Sequence, residues 1–142
     1  MTKISPAAEY SVARSVNALV LTAGMTPRVD GVLLATGLIG EQLTAEDGRQ
    51  LTAIATTRAL DAVRSTLTPE LVISSVVSLS VYIAAAPTFT ELSYVADAAT
   101  QTIREAFPTA SLPVRVAVGV AVLPGGAPVE VQLTANVERI QL

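Results

Sequence analysis

Two stretches near the end of this 142-residue chain leave little freedom in how it folds. From Val114 to Val122 every even-numbered residue is valine, and Arg115, Ala117, Gly119 and Ala121 alternate with them. From Val129 to Val137 the apolar set is Val129, Val131, Leu133, Ala135 and Val137, with Glu130, Gln132, Thr134 and Asn136 between. A period of two residues belongs to an extended strand, whose side chains point alternately to opposite faces. Leu123-Pro124-Gly125-Gly126-Ala127-Pro128 joins the two stretches and is rich in turn formers. A simple hairpin about Gly125-Gly126 places Glu130 opposite about Ala121. Arg115 then lies on the order of 20 Å along the strand, at about 3.3 Å per residue.

The remaining chain supplies partners for these strands. Asn17 to Gly24 reads as a strand running into a turn at Thr26-Pro27, and Val32 to Ala35 as a second strand. The segment between, Pro27 to Gly31, carries the Asp30-Gly31 pair favoured in hairpins. Thr44 is a helix N-cap with Asp47 three residues on. Leu51, Ile54, Ala55, Ala59, Ala62 and Val63 then recur at helical spacing, and Pro69 ends the segment. Arg49, Arg58, Asp61 and Arg64 fall mostly off that stripe, on a solvated face. From Ser75 to Ile83 the pattern alternates again, with Val77, Leu79, Val81 and Ile83 on one face and Ser78, Ser80 and Tyr82 on the other. A second amphipathic helix follows Pro87, lined by Leu92, Val95, Ala96, Ala99, Ile103 and Phe107 and stopped at Pro108. The fold class is therefore α+β: a mostly antiparallel sheet with two helices on one face. The other face is either wet or packed against another chain.

Composition narrows the chemistry. Hydrophobic residues make up 51% of the chain and charged residues 15%, which suits a single domain over residues 1–142. The absence of cysteine and histidine removes disulfides, thiol nucleophiles, Cys/His metal sites and any Ser-His-Asp arrangement. Lys3 is the only lysine and the net charge is −3, so a nucleic-acid footprint is not expected. No stretch reaches the roughly 18 apolar residues of a membrane helix, and the first residues lack a signal peptide's apolar run. A cytoplasmic protein with no membrane partner is the expectation. The mean hydropathy of +0.55 is high for a soluble chain and points to burial between subunits.

Three pieces of sequence then stand in a recognisable order. Tyr10-Ser11 comes first, then Leu19 to Pro27, and last Leu112 to Val120 with Leu123-Pro124 and Pro128-Val129-Glu130-Val131. In these pieces the sequence resembles a divergent branch of the reactive intermediate deaminase family, the YjgF-type or Rid proteins, also called endoribonuclease L-PSP. The resemblance implies a chorismate mutase-like fold, and a homotrimer whose sheets close into a barrel-like core with a site in each intersubunit cleft. It also implies hydrolysis of reactive 2-imino and enamine acids to 2-keto acids and ammonia, with no cofactor and no metal.

Under that resemblance Arg115 binds the substrate carboxylate through its planar fork. Ala117, with Gly119 and Ala121, leaves room for the ligand. Glu130 is the catalytic residue, orienting or deprotonating water, if its surroundings raise its pKa. Tyr10 walls the pocket and donates a hydrogen bond, and backbone N–H near Gly24 binds substrate. Each has a plainer rival: an intersubunit ion pair for Arg115, close approach of a neighbouring strand or subunit for the small residues, a solvated edge charge for Glu130, packing for Tyr10. Ser78 and Ser80 read as wet-face or interface residues rather than nucleophiles, since no histidine accompanies them.

The chain also departs from the family pattern. Ala23-Gly24-Met25 stands where the family has Ser-Gly-Gln, and Ala117 where it has Cys. Asn17-Ala18 stands for Gly-Asn, and the family's substrate-holding Asn has no counterpart near Ser93, Asp97 and Ala98. Asp97 would repel a carboxylate if it faced one. Two alternatives therefore stay open: a non-catalytic protein that binds small carboxylates, and a pathway-specific enzyme on the same fold.

Overall fold

The alternating stretches do become strands, but they are not neighbours. The structure, a computed structural model, describes residues 3–141. Its elements are β1 (Ala13–Val16), β2 (Leu19–Thr22), β3 (Arg28–Val29), β4 (Val32–Leu33), α1 (Ala45–Arg64), β5 (Leu71–Ala84), α2 (Leu92–Ala106), β6 (Val114–Val120) and β7 (Val129–Arg139). The main sheet runs β1-β2-β7-β5-β6. The expected hairpin of β6 and β7 is thus corrected: β5 lies between them, antiparallel to β7 and parallel to β6. A parallel pair needs a crossover, and α2 supplies it. The Pro124–Gly126 turn is not a hairpin tip; it carries the chain from the edge strand past β5 to the centre.

The N-terminal part holds more pairing than the residue pattern suggests. β1 folds back on β2 through Asn17-Ala18, with Asn17 at φ 55°. β3 and β4 are two residues each and pair only with one another. Their turn is the expected Asp30-Gly31, both at positive φ (51° and 79°), as a two-residue type I′ hairpin requires.

Both helices lie on one face of the sheet. Thr44 caps α1 in a full capping box: its hydroxyl accepts from the Asp47 N–H, and the Asp47 carboxylate accepts from the Thr44 N–H. Leu51, Ala55, Ala59, Ala62 and Val63 of α1 meet Val95, Ala96, Ala99 and Ile103 of α2 over Leu79, Val81 and Ile83 of β5 and Val129, Val131, Leu133, Ala135 and Val137 of β7. At about 25 cal/mol per Å² of apolar surface removed from water, this layer is the main source of stability.

One face assignment changes. Two irregularities in the β5–β7 register, between Ile73 and Ser75 and between Val76 and Ser78, insert extra residues. Val76 is therefore in the core at 2% exposure, and Val77, expected there, is 44% exposed.

The opposite face of the sheet is apolar where it is bare. Val114 and Val116 of the edge strand are 72% and 54% exposed, with Val118 and Leu112 also open.

Candidate functional site

The first residues of β7 form a pocket with the chain that leaves β2. Met25 rejoins the sheet there: its N–H donates to the Val131 carbonyl at 2.7 Å, and the Val131 N–H donates back at 2.9 Å. This lays Gly24 against the side chain of Glu130. A Cβ on Gly24 would sit 2.6 Å from Glu130 Cδ, closer than real contacts allow, so only glycine admits the carboxyl where it lies.

Glu130 is half-buried, and burial pushes its carboxyl above the ordinary glutamate range. Among the described residues its carboxylate has no hydrogen-bond or ion-pair partner, and the Gly24 N–H has no protein acceptor. A cavity of about 440 Å³ opens onto this pair. Tyr10, Met25, Thr26, Arg28 and Arg58 are also in its wall. The Tyr10 hydroxyl accepts from the Ala7 N–H at 3.2 Å, a contact within the N-terminal segment, both of whose partners line the cavity. Tyr10, Gly24 and Glu130, three of the residues singled out in the sequence, thus share one cavity.

Arg115 and Ala117 do not join them. In β6 they face α2, the helix side, because Leu79 and Val81, their partners in β5, point into the core. Glu130 pairs with Tyr82, on the other face. Arg115 and Glu130 are offset by two strand spacings and three residues, about 14 Å between backbones, with side chains on opposite faces. Arg115, expected to bind the substrate carboxylate, is instead paired within the chain. Its Nη1 donates to Asp97 Oδ1 at 2.8 Å and to Thr100 Oγ1 at 3.0 Å, both on α2. Asp97 does face Arg115, and its carboxylate takes Nη1 and the charge that a substrate carboxylate would need.

The small residues beside Arg115 make room for α2. Ala117 packs on the core, and a Cβ on Gly119 would meet Leu92 at 3.5 Å. Ser78 and Ser80 are half-buried in the outer face.

Two cavity residues escaped sequence reasoning. Arg58, assigned to a solvated helix face, is half-buried, and its Nη1 donates to the Thr26 carbonyl at 2.6 Å. Burial, and after it the charge of Arg28, lowers its pKa; Tyr10 and Asp61 act the other way. Arg28 donates from Nε to Thr26 Oγ1 at 3.0 Å and from Nη1 to the Gly31 carbonyl at 2.8 Å. A usable signal was the place of Arg58 in α1, four residues after Ile54 and three after Ala55, at the margin of the apolar stripe. A larger cavity of about 850 Å³, with Lys3, Ile4, Ile54 and Asp61 in its wall, shares Arg28 and Arg58 with the smaller one.

Sheet order, helix layer and the carboxyl-bearing cavity define a chorismate mutase-like α+β subunit. The family described as Endoribonuclease L-PSP matches residues 1–137. Protein TCP17 of Trypanosoma cruzi is 35% identical over 109 residues, which cover 76% of this chain and 68% of TCP17. The chain therefore belongs to the endoribonuclease L-PSP family, the YjgF/Rid proteins.

Solved structures share the fold. A Shewanella oneidensis protein described as a candidate endoribonuclease aligns with a TM-score of 0.87 at 22% identity, over 96% of this chain and 90% of its own. Atu1372 of Agrobacterium tumefaciens, a protein of unknown function, aligns at 0.84 and 24%, over 91% and 83%. TdcF of Escherichia coli with bound serine aligns at 0.60 and 18%, over 94% and 90%. Among the described residues no helix is long and apolar enough to cross a membrane.

Proposed function

We propose that the cavity at Glu130 hydrolyses reactive 2-imino acids and their enamine tautomers to 2-keto acids and ammonia. The observation that carries this reading is Glu130 itself: a half-buried carboxyl with a raised pKa, without a partner among the described residues, lining an open cavity beside a backbone N–H that is likewise unpaired among them. A carboxyl poised nearer neutrality is an effective proton acceptor and, once protonated, an effective donor.

Starting from the protonated imine, ionised Glu130 takes a proton from water as the oxygen attacks the imine carbon, giving a neutral carbinolamine. Protonated Glu130 returns that proton to the nitrogen, and the carboxylate so regenerated takes the hydroxyl proton as the C–N bond breaks, the C=O forms and ammonia leaves. The Gly24 N–H is placed to hold an oxygen of the substrate, and Tyr10 limits access of bulk water. Family membership and the amino acid bound by TdcF both favour a small, amino-acid-derived substrate. The site asks for no cofactor. The bare valines of β6 favour a homotrimer that covers this face, and a monomer by light scattering would remove that part of the proposal.

The test generates 2-iminobutanoate in situ and follows its loss by trapping. Wild-type protein is expected to accelerate the loss, and Glu130→Gln to lower kcat/KM by about 10²–10⁴-fold. Ligand binding without acceleration would leave the non-catalytic alternative in its place.

A further inference from the structure

A hydrolytic cavity for an imino acid needs a grip on the carboxylate, and Arg115 is spent on Asp97. The cavity holds two other guanidinium groups. Both are tied to one residue, Arg58 to the Thr26 carbonyl and Arg28 to the Thr26 hydroxyl, so their charges converge. Among the described residues neither has a carboxylate within 4 Å. Of the five N–H groups on each guanidinium, Arg58 uses one and Arg28 two, again among the described residues.

Burial first, and then the like charge of Arg28, weigh against the charged form of Arg58 and lower its pKa, while Tyr10 and Asp61 offset only part of that cost. An anion between them removes it. Glu130 lines the same 440 Å³ space but lies beyond ion-pair distance of both arginines, which leaves a gap between acid and base. With Glu130 ionised, these three groups carry a net charge of +1, which one monoanion balances.

We infer that Arg28 and Arg58, held together on Thr26, are the anion subsite of this cavity, and that its ligand is a small monocarboxylate with its 2-carbon toward Glu130. The identity of the ligand rests on the hydrolytic reading above; the subsite rests on the two arginines. The larger cavity on the far side of the pair, lined by Ile4, Val29, Ala53 and Ile54, gives the ligand's side chain somewhere to go. Lys3, Asp30 and Asp61 also face that space, one base against two acids, so nothing there beyond the arginine pair would draw a second anion.

Calorimetric titration with 2-oxobutanoate, the stable keto-acid product, tests this without turnover. Arg58→Gln and Arg28→Gln are each expected to weaken binding about tenfold or more, because a bidentate charge-assisted contact is lost. Arg115→Gln is expected to stay within about twofold. Arg58→Lys keeps the charge but not the fork, and is expected to fall between. Circular dichroism melting checks each variant; if Arg58→Gln does not fold, Arg28→Gln and Arg58→Lys carry the decision.

Four results would overturn the inference. They are full affinity in folded Arg28→Gln and Arg58→Lys, loss of binding in Arg115→Gln, no wild-type binding at about 10 mM, or inorganic phosphate bound about tenfold more tightly than the keto acid. A protein that binds 2-oxobutanoate through Arg58 yet hydrolyses no imine keeps the subsite and loses the hydrolytic reading.

Discussion

Arg115 and Arg58 are both partly buried arginines, and they have opposite fates. Arg115 extends from β6 under α2, where Asp97 and Thr100 stand one turn apart and close on its head group. Arg58 extends from α1 toward a loop that offers it only a carbonyl oxygen. A guanidinium satisfied by a carboxylate has little left for a ligand, whereas one held by a neutral acceptor keeps its charge available. What an arginine can bind is decided by the element packed against it. A residue pattern along one strand does not contain that information.

The cavity side of the comparison is broken most sharply at Gly24. Alanine there drives a methyl to within 2.6 Å of Glu130 Cδ, and the carboxyl must swing away. Imine hydrolysis in Gly24→Ala is expected to fall about 10–100-fold, because a misplacement of about 1 Å in a reacting group costs rate on that scale. Melting should change little, since the atom that must move ends a flexible side chain. Unaltered kcat/KM would mean that the carboxyl's present position has no part in the chemistry.

The β6 side is probed at Asp97. The pair with Arg115 is partly solvated, with side-chain exposures of 21% and 58%, so screening limits its worth. A double-mutant cycle of Asp97→Asn and Arg115→Gln is expected to give a coupling of no more than about 1 kcal/mol. Asp97→Asn also frees the Arg115 fork. If Arg115 were the substrate's partner, keto-acid affinity would rise in this variant; no change is expected.

These fates explain which parts of the molecule could be read from residues alone. The strands β5, β6 and β7, both helices and the Asp30-Gly31 turn follow from periodicity and capping, which are local. The order of strands does not, because nothing in Val114 to Val137 says that β5 inserts between the two most regular segments. The Val76-for-Val77 exchange escaped because a bulge resets the alternation without changing the residue pattern. Tyr10, Gly24 and Glu130 were found together through the family pattern, although the reason for glycine at 24 is the side chain of a residue more than a hundred positions away. Arg28 and Arg58 were passed over because a charged residue at the edge of a helical stripe, or in a turn, ordinarily faces water.

The smallest expected effect concerns the pH dependence of folding, and it isolates what burial does to Glu130. In the unfolded chain this carboxyl titrates near about 4.3. In the folded protein burial raises it, and no neighbouring charge offsets the shift, although Arg28, Arg58 and Tyr10 line the same cavity. The folded state thus holds the proton more tightly. As pH rises from the unfolded pKa to the folded one, the unfolded chain releases its proton first, and stability declines across that window; above it the loss is constant. Glu130→Gln removes this titration. At neutral pH the variant is expected to melt about 1–3 °C higher than wild type, a gap that closes below about pH 4. Melting curves at matched pH values read this directly. Equal midpoints at neutral pH would put the carboxyl in ordinary solvent, and Glu130 would then share the water-facing character that Arg58 was expected to have.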